Sequence, residues 1–266
     1  MLPSLLLVGG GRMGGAMLAG WREQGLSPSV VIDPAPSAAS LAGPDVTVLA
    51  DPSALPAGFA PEAVILAVKP QNAAEVLPHY AHLAGRPVFL SIMAGRVIAG
   101  MIGLLGDRAA IVRAMPNTPA AVRRGITVAM AGPNVTDAQR DLCDRLLAAI
   151  GKVAWVEDER LLDGVTAVSG SGPAYVFLLA ELMEEAGIAE GLPPDLARLL
   201  ARETVAGSGA LLAASAEESA ALRKAVTSPG GTTERALRVL MADTAWPLLL
   251  RHAIAAATAR SRELAG

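Results

Sequence analysis

The chain has 266 residues, about one and a half to two domains' worth, and its 52% hydrophobic and 18% charged content excludes a disordered polymer. A net charge of −3 and a pI near 5.7 leave no basic surface for a nucleic-acid backbone, and mean hydropathy is +0.44 without a run of about 18 apolar residues free of charges or breakers. Neither nucleic acid nor a membrane is therefore an expected partner.

Residues 4–9, Ser-Leu-Leu-Leu-Val-Gly, form a short apolar run that stops at a glycine cluster. Met13, Met17, Leu18 and Trp21 follow at helix-face spacing, to about Gly25. Val30-Val31-Ile32-Asp33 predicts a second buried strand, closed by an acid and prolines. Further strand-like runs lie at 46–49, 63–68, 88–92 and 110–115, with helix-compatible segments between most of them. Such alternation predicts a parallel sheet with helical crossovers. Thr136-Asp137-Ala138-Gln139 reads as a capping box opening a helix to about Ile150, and 153–156 is a last strand.

After about Asp158 the texture changes to long Ala/Leu/Glu/Arg segments. Ser171-Gly172-Pro173 predicts a helix start with proline in its first turn, and Pro193-Pro194-Asp195 another, to about Ala214. Ser215-x-x-Glu218 reads as a capping box for a third helix; a glycine-rich loop at 227–232 precedes a fourth at 233–242, and a fifth covers 246–263. Several of these helices are apolar on more than one face, which predicts a partner subunit. The expected division is residues 1–158, an α/β Rossmann-type dinucleotide-binding domain, and residues 159–266, an all-helical dimerisation and substrate-binding domain.

Gly9-Gly10-Gly11-Arg12-Met13-Gly14 fits G-x-G-x-x-G directly after the first strand. The glycines permit a tight turn, approach of a pyrophosphate to the backbone, and close helix–strand packing. Asp33, nineteen residues past Gly14, ends the next strand, where an acid accepts ribose hydroxyls and repels a 2′-phosphate. No Lys or Arg lies in Pro34–Leu41 to receive that phosphate, which leans toward NADH. A structural glycine turn and an Asp-Pro turn are the plainer alternatives. Val68-Lys69-Pro70-Gln71 ends another strand, and Lys69 is one of only three lysines among 22 basic residues. It is either a ligand contact or a solvated strand end. Ser91–Gly95 and Met115–Pro119 end the next two strands, either packed close to a ligand or simply rigid. In the second half, Ser169-Gly170-Ser171-Gly172-Pro173 and Thr227-Ser228-Pro229-Gly230-Gly231-Thr232-Thr233 each lead into a helix. The second offers backbone N–H groups and hydroxyls to a small carboxylate, although capping explains either loop alone.

The single cysteine, Cys143, excludes an internal disulfide framework, and the N-terminus has no basic n-region or lasting apolar h-region, so a cytoplasmic protein is expected. His79 and His82 sit three apart without a third ligand, so no metal site is expected. No G-x-S-x-G elbow and no cysteine–histidine pair are present. A site without a placed histidine suits an imine better than a ketone. A protonated imine accepts hydride without an acid for a developing alkoxide, and needs mainly orientation and a carboxylate clamp.

These motifs, with Arg113–Pro119 and Asp163–Pro173, resemble the pyrroline-5-carboxylate reductase family over nearly the whole chain. The resemblance implies reduction of 1-pyrroline-5-carboxylate to L-proline by NAD(P)H, the last step of proline biosynthesis. It implies a glycine loop holding pyrophosphate and Ala67, Val68, Lys69 and Pro70 bordering the nicotinamide half. It also implies that Ser228, Gly230, Gly231, Thr232 and Thr233 bind the substrate carboxylate, with Thr233 hydrogen bonding the ring nitrogen. Family members are homodimers that often assemble to decamers. Two departures touch the coenzyme: Arg12 stands where the family often has asparagine, and Asp33 where many NADPH-preferring members have a neutral or basic residue. Two other readings compete. A short 3-hydroxyacid dehydrogenase would show a lysine near the start of a long second-half helix, whereas Lys224 ends its helix. A non-catalytic dinucleotide sensor would not need the Ser228–Thr233 loop.

Overall fold

Short apolar runs bounded by glycine and proline are too brief for helices and suit strands covered on both faces. The computed structural model describes residues 1–265. Its strands are β1 (Leu5–Val8), β2 (Ser29–Ile32), β3 (Val46–Leu49), β4 (Ala63–Leu66), β5 (Val88–Ser91), β6 (Ala110–Met115), β7 (Gly125–Ala131) and β8 (Gly151–Trp155). They form one sheet in the order β3-β2-β1-β4-β5-β6-β7-β8. The first six are parallel; β7 runs antiparallel to β6, and β8 parallel to β7.

Alternate strand residues feed opposite faces, as the two-residue period of a strand requires. Leu5, Leu7, Val31, Ile65 and Leu90 pack with α1 (Arg12–Glu23) on one face. Leu6, Val8, Ile32, Val64 and Phe89 pack on the other against the short helix α2 (Ala73–Val76), the tight turns at 77–83, and α3 (Ile98–Leu105). The fourth helix, α4 (Asp137–Ala148), joins the first face, with the Trp21 indole N–H donating to Leu146 O at 2.8 Å. Gly20 lets α1 and the end of α4 touch: a Cβ there would lie 2.6 Å from Ala149 O. Thr136 and Gln139 form the expected reciprocal capping box. Burial, then the nearby Asp144 charge, push the Cys143 thiol up to about 12, leaving it an inert core side chain.

The remaining helices are α5 (Leu161–Val165), α6 (Gly172–Ala189), α7 (Pro194–Ala214), α8 (Ser219–Ala225), α9 (Thr232–Leu240) and α10 (Trp246–Ala265). The chain divides into two compact units: residues 1–170 with the stretch from Ala257 on, and Ser171–Ala256. In the first, the last turns of α10 return to the sheet unit, where the Ser261 hydroxyl donates to Asp163 Oδ1 at 2.7 Å. In the second, α6 and α7 form a hairpin closed at Gly187, where a Cβ would meet that of Ala197 at 3.3 Å.

Four sequence expectations are corrected. The sheet is mixed, not purely parallel, because β7 follows β6 by a short antiparallel return. Two crossovers, β2 to β3 and β4 to β5, are built mostly from short, tightly wound helical runs rather than full α-helices. Ser215 does not cap α8: it ends α7, its Oγ accepts the Glu217 N–H at 3.0 Å, and α8 begins at Ser219 without a side-chain cap. Ser169–Gly170 is not an open loop. Residues 166–170 form one wide helical turn, with the Ser169 and Thr166 hydroxyls donating to the carbonyls four residues back.

That wide turn joins α5 to α6, so Leu161–Ala189 is, among the described residues, the one helical stretch long and apolar enough to cross a membrane by length and composition. Only 6% of its most apolar window is buried.

Candidate functional site

Strand order reverses between β1 and β4, so a crevice opens outside their carboxyl ends, the place where doubly wound sheets take ligands. Two of the sequence-predicted segments meet there. Gly9 follows β1 with φ +100°, and a Cβ on it would lie 2.7 Å from Ala67 O. A Cβ on Gly14 would lie 2.2 Å from Gly9 O and 3.4 Å from the Ala67 Cβ. Only glycine fits either position, so the pattern is an enforced close approach of backbone to backbone. Gly11, by contrast, has nothing within 4 Å of where its Cβ would be. Open space thus lies directly over the start of α1.

The first intrahelical bond of α1 is Gly15 N–H to Gly11 O at 2.7 Å, so the N–H groups of Arg12, Met13 and Gly14 precede the ladder. Arg12 is exposed and no acid stands in the first turn of α1. The positive end of the helix dipole therefore faces this space. Open space, glycine cradle and anion-seeking N–H groups together fit the pyrophosphate of a dinucleotide.

Asp33 ends β2 half-buried and is held from two sides. Its Oδ2 accepts the Gly10 N–H at 2.6 Å, and its Oδ1 accepts the Ala35 N–H at 2.8 Å. The Asx turn and the link to the glycine loop thus coexist, and they fix one negative charge beside Gly10. Leu41 presses on the same glycine, 2.6 Å from a would-be Cβ. Its carbonyl accepts from Arg22 Nη2 at 2.7 Å, while Arg22 pairs with Asp45 at 3.0 Å. That pairing holds the Asp45 carboxyl below the usual carboxylate range, mainly through the hydrogen bond from Arg22.

Past β4, Ala67 and Val68 are half-buried, Lys69 is exposed, and Pro70 starts a tight turn. Pro70 O accepts the Arg96 Nε–H at 2.8 Å, which ties this segment to the loop after β5. Sequence reasoning missed both Arg96 and Leu41, since neither has a periodic or motif signal. The backbone closeness expected at Ser91–Gly95 exists, but its neighbour is the chain's own last helix: a Cβ on Gly95 would lie 3.1 Å from Leu264 O. Met115–Pro119 is braced by Asn117, whose Oδ1 accepts the Ile126 N–H at 2.9 Å. Arg113 is buried and pairs with Glu159 at 2.8 Å, whose Oε1 also accepts the Ile98 N–H at 2.9 Å.

The second candidate segment lies in the helical unit. Thr227 Oγ1 donates to Arg223 O at 2.6 Å, closing α8. Gly230 takes φ +73°, where other residues are strained, and Gly231 then opens α9 as its extended N-cap. The Gly231 N–H donates to Ser228 O at 3.0 Å and the first bond of α9 runs from Arg235 N–H to Gly231 O, so the N–H groups of Thr232, Thr233 and Glu234 stand ahead of the helical ladder. Ser228 and Thr232 are exposed, Thr233 half-buried. The Gly230 N–H donates to Glu234 Oε2, a contact with no counterpart in the sequence reading.

A glycine cradle at the switch point of a Rossmann-type sheet, followed by a helix-only unit with an open helix N-terminus, defines a two-part nucleotide-dependent oxidoreductase. Residues 4–95 match the family model described as NADP oxidoreductase, coenzyme F420-dependent, and residues 159–264 the one described as pyrroline-5-carboxylate reductase dimerisation. The pyrroline-5-carboxylate reductase of Pseudomonas aeruginosa is 38% identical over 267 residues, covering 99% of this chain and 97% of its own length. Among solved structures, a pyrroline-5-carboxylate reductase from Coxiella burnetii is similar with a TM-score of 0.92 at 32% identity over 100% of both chains. The Plasmodium falciparum pyrroline carboxylate reductase with NADP bound is similar at 0.84 and 25% identity, over 99% of this chain and 98% of that one. The chain belongs to the pyrroline-5-carboxylate reductase family.

Proposed function

We propose that this chain reduces 1-pyrroline-5-carboxylate to L-proline, the closing step of proline biosynthesis, as a cytoplasmic homodimer that can assemble further, to decamers. The observation that carries the reading is full-length similarity to reductases of that name joined to an intact Ser228–Thr233 loop at the start of α9. Residues 1–158 form the coenzyme domain and 159–266 the dimerisation and substrate domain. The apolar faces of the helical domain are covered by a second copy rather than by lipid, in keeping with the dimerisation family model over 159–264.

In this reading Gly9, Gly10, Gly11, Arg12, Met13 and Gly14 hold the coenzyme pyrophosphate, and Ala67, Val68, Lys69 and Pro70 border its nicotinamide half. When bound, NAD(P)H supplies the hydride that C5 of the pyrroline ring accepts. Asp33 accepts the adenosine ribose hydroxyls. Its charge beside Gly10, with Arg22 already paired, disfavours a 2′-phosphate, so NADH serves at least as well as NADPH.

The substrate carboxylate sits on the loop of Ser228, Gly230, Gly231, Thr232 and Thr233. The N–H groups of Thr232 and Thr233 and the positive end of α9 hold it there. The Thr233 hydroxyl bonds the ring nitrogen, fixing the imine for attack and then stabilising the new amine. A hydroxyl is too weak an acid to protonate an imine by itself, so the iminium forms in solution or through water.

A steady-state assay of NADH and NADPH oxidation with 1-pyrroline-5-carboxylate tests this reading. Turnover that depends on the pyrroline and yields proline is expected. Coenzyme binding without turnover would instead mark a sensor that keeps the fold.

A further inference from the structure

The proposed carboxylate seat carries a negative charge of its own. Glu234 is the third residue of α9, and its Oε2 accepts the N–H of Gly230, the residue held at φ +73°. This contact closes a ring from Gly230 to Glu234, which pins the backbone just ahead of the Thr232 and Thr233 N–H groups. The fixed hydroxyl of this loop, Thr227 Oγ1, instead donates to Arg223 O at the end of α8. The second oxygen of Glu234 lies 3.7 Å from Arg238 Nη2, one turn further along α9. That pair is solvent-exposed and neutralises the carboxylate only in part.

A carboxylate reaching back from the third helical position is ordinary capping chemistry. Its placement here is not ordinary, because an anionic substrate is assigned to the same helix end. Two effects oppose each other: the tether preorganises the loop, and the charge repels the ligand. The geometry points to Glu234 as a positioning residue for the substrate, holding the Ser228–Thr233 loop in its receptive shape at some loss of affinity for the carboxylate. This inference rests on the substrate reading given above.

Glu234→Gln and Glu234→Ala in the full chain separate the two effects. Glutamine keeps an acceptor for the Gly230 N–H and removes the charge, so KM for 1-pyrroline-5-carboxylate should fall by about two- to fivefold with kcat held. Alanine removes the tether as well, and kcat/KM for the pyrroline should fall by about tenfold, on the scale of one lost cap. Coenzyme KM should stay within about twofold in both variants, which general damage to the fold would not permit. The gain in the glutamine variant should shrink at high salt, as screening removes the repulsion. Equal kcat/KM in all three proteins, or parallel losses for substrate and coenzyme in both variants, would overturn the inference while leaving the reductase reading intact. An inactive wild type would overturn that reading, and the role of Glu234 with it.

Discussion

The two halves of this chain bury their apolar residues in opposite ways. In the sheet, every residue of β1, β2, β4 and β5 is buried, and Trp21, Met17 and Leu18 of α1 are at most 1% exposed. In Ser171–Ala256 only Ala197 and Ala201 are buried, while Phe177, Leu199 and Leu249 are more than half exposed. Both halves are rich in apolar residues. The sheet half closes its core within one chain, whereas the helical half presents a core cut open. Exposed apolar area of that extent marks an interface rather than a surface. The sheet half is self-sufficient in packing and the helical half is not, and the dimerisation family model over residues 159–264 points to a second copy as its cover.

Breaking that dependence has the largest expected effect. The native protein should show no folded monomer by mass measurement at micromolar concentration. A Phe177→Glu variant should lose the dimer and nearly all activity, because a charge in an apolar interface costs several kcal/mol. A stable, active monomer would mean that α6 and α7 find their cover within one chain.

Next comes the chemistry assigned to the helical half. Thr233→Ala should slow turnover by about 10- to 100-fold, matching a lost contact of about 1.4 to 2.7 kcal/mol. Coenzyme affinity should hardly move, and Thr233→Ser should keep most of the activity. Alanine with native turnover would reduce the loop to a carboxylate clamp.

A smaller effect belongs to the sheet half. Asp33→Ser removes the fixed charge beside Gly10 and should shift the kcat/KM ratio of NADPH to NADH upward by about five- to tenfold. A native preference for NADPH of tenfold or more would show that Asp33 serves the glycine loop and not coenzyme choice. The smallest change should come from Thr136→Ala, which removes one arm of the α4 capping box. About 1 kcal/mol of stability should be lost, read as a lower Tm with unchanged kcat. A drop in kcat would show that the sheet half is less self-contained than its burial suggests.

Local chemistry explains which parts of the structure were legible in the sequence. The strands β1, β2, β4 and β5 are apolar on both faces and bounded by breakers, and the Thr136 box carries its own hydrogen bonds. Gly9 and Gly14 stand out because only a missing Cβ permits their contacts. β7 escapes a sequence reading although Ile126, Thr127 and Val128 are β-branched, because Ala129, Met130 and Ala131 dilute the run and only pairing with β6 and β8 extends it to Ala131. Ser215 misled because Ser-x-x-Glu is a capping pattern wherever it falls, while the turn that formed was governed by the end of α7. Arg96 and Leu41 act through contacts across 26 and 31 residues, which no spacing rule contains, whereas Glu234 stands at the ordinary N3 capping position behind a glycine N-cap that has no side chain to mark it.

Direct hydride transfer from the coenzyme to the pyrroline ring leaves an isotopic signature in the product. Incubating the native protein with 1-pyrroline-5-carboxylate and NADH carrying deuterium at C4, in turn on each face, should give L-proline with one deuterium at C5 from one face only. Proline without label from either coenzyme, or coenzyme bound with no proline formed, would contradict the account.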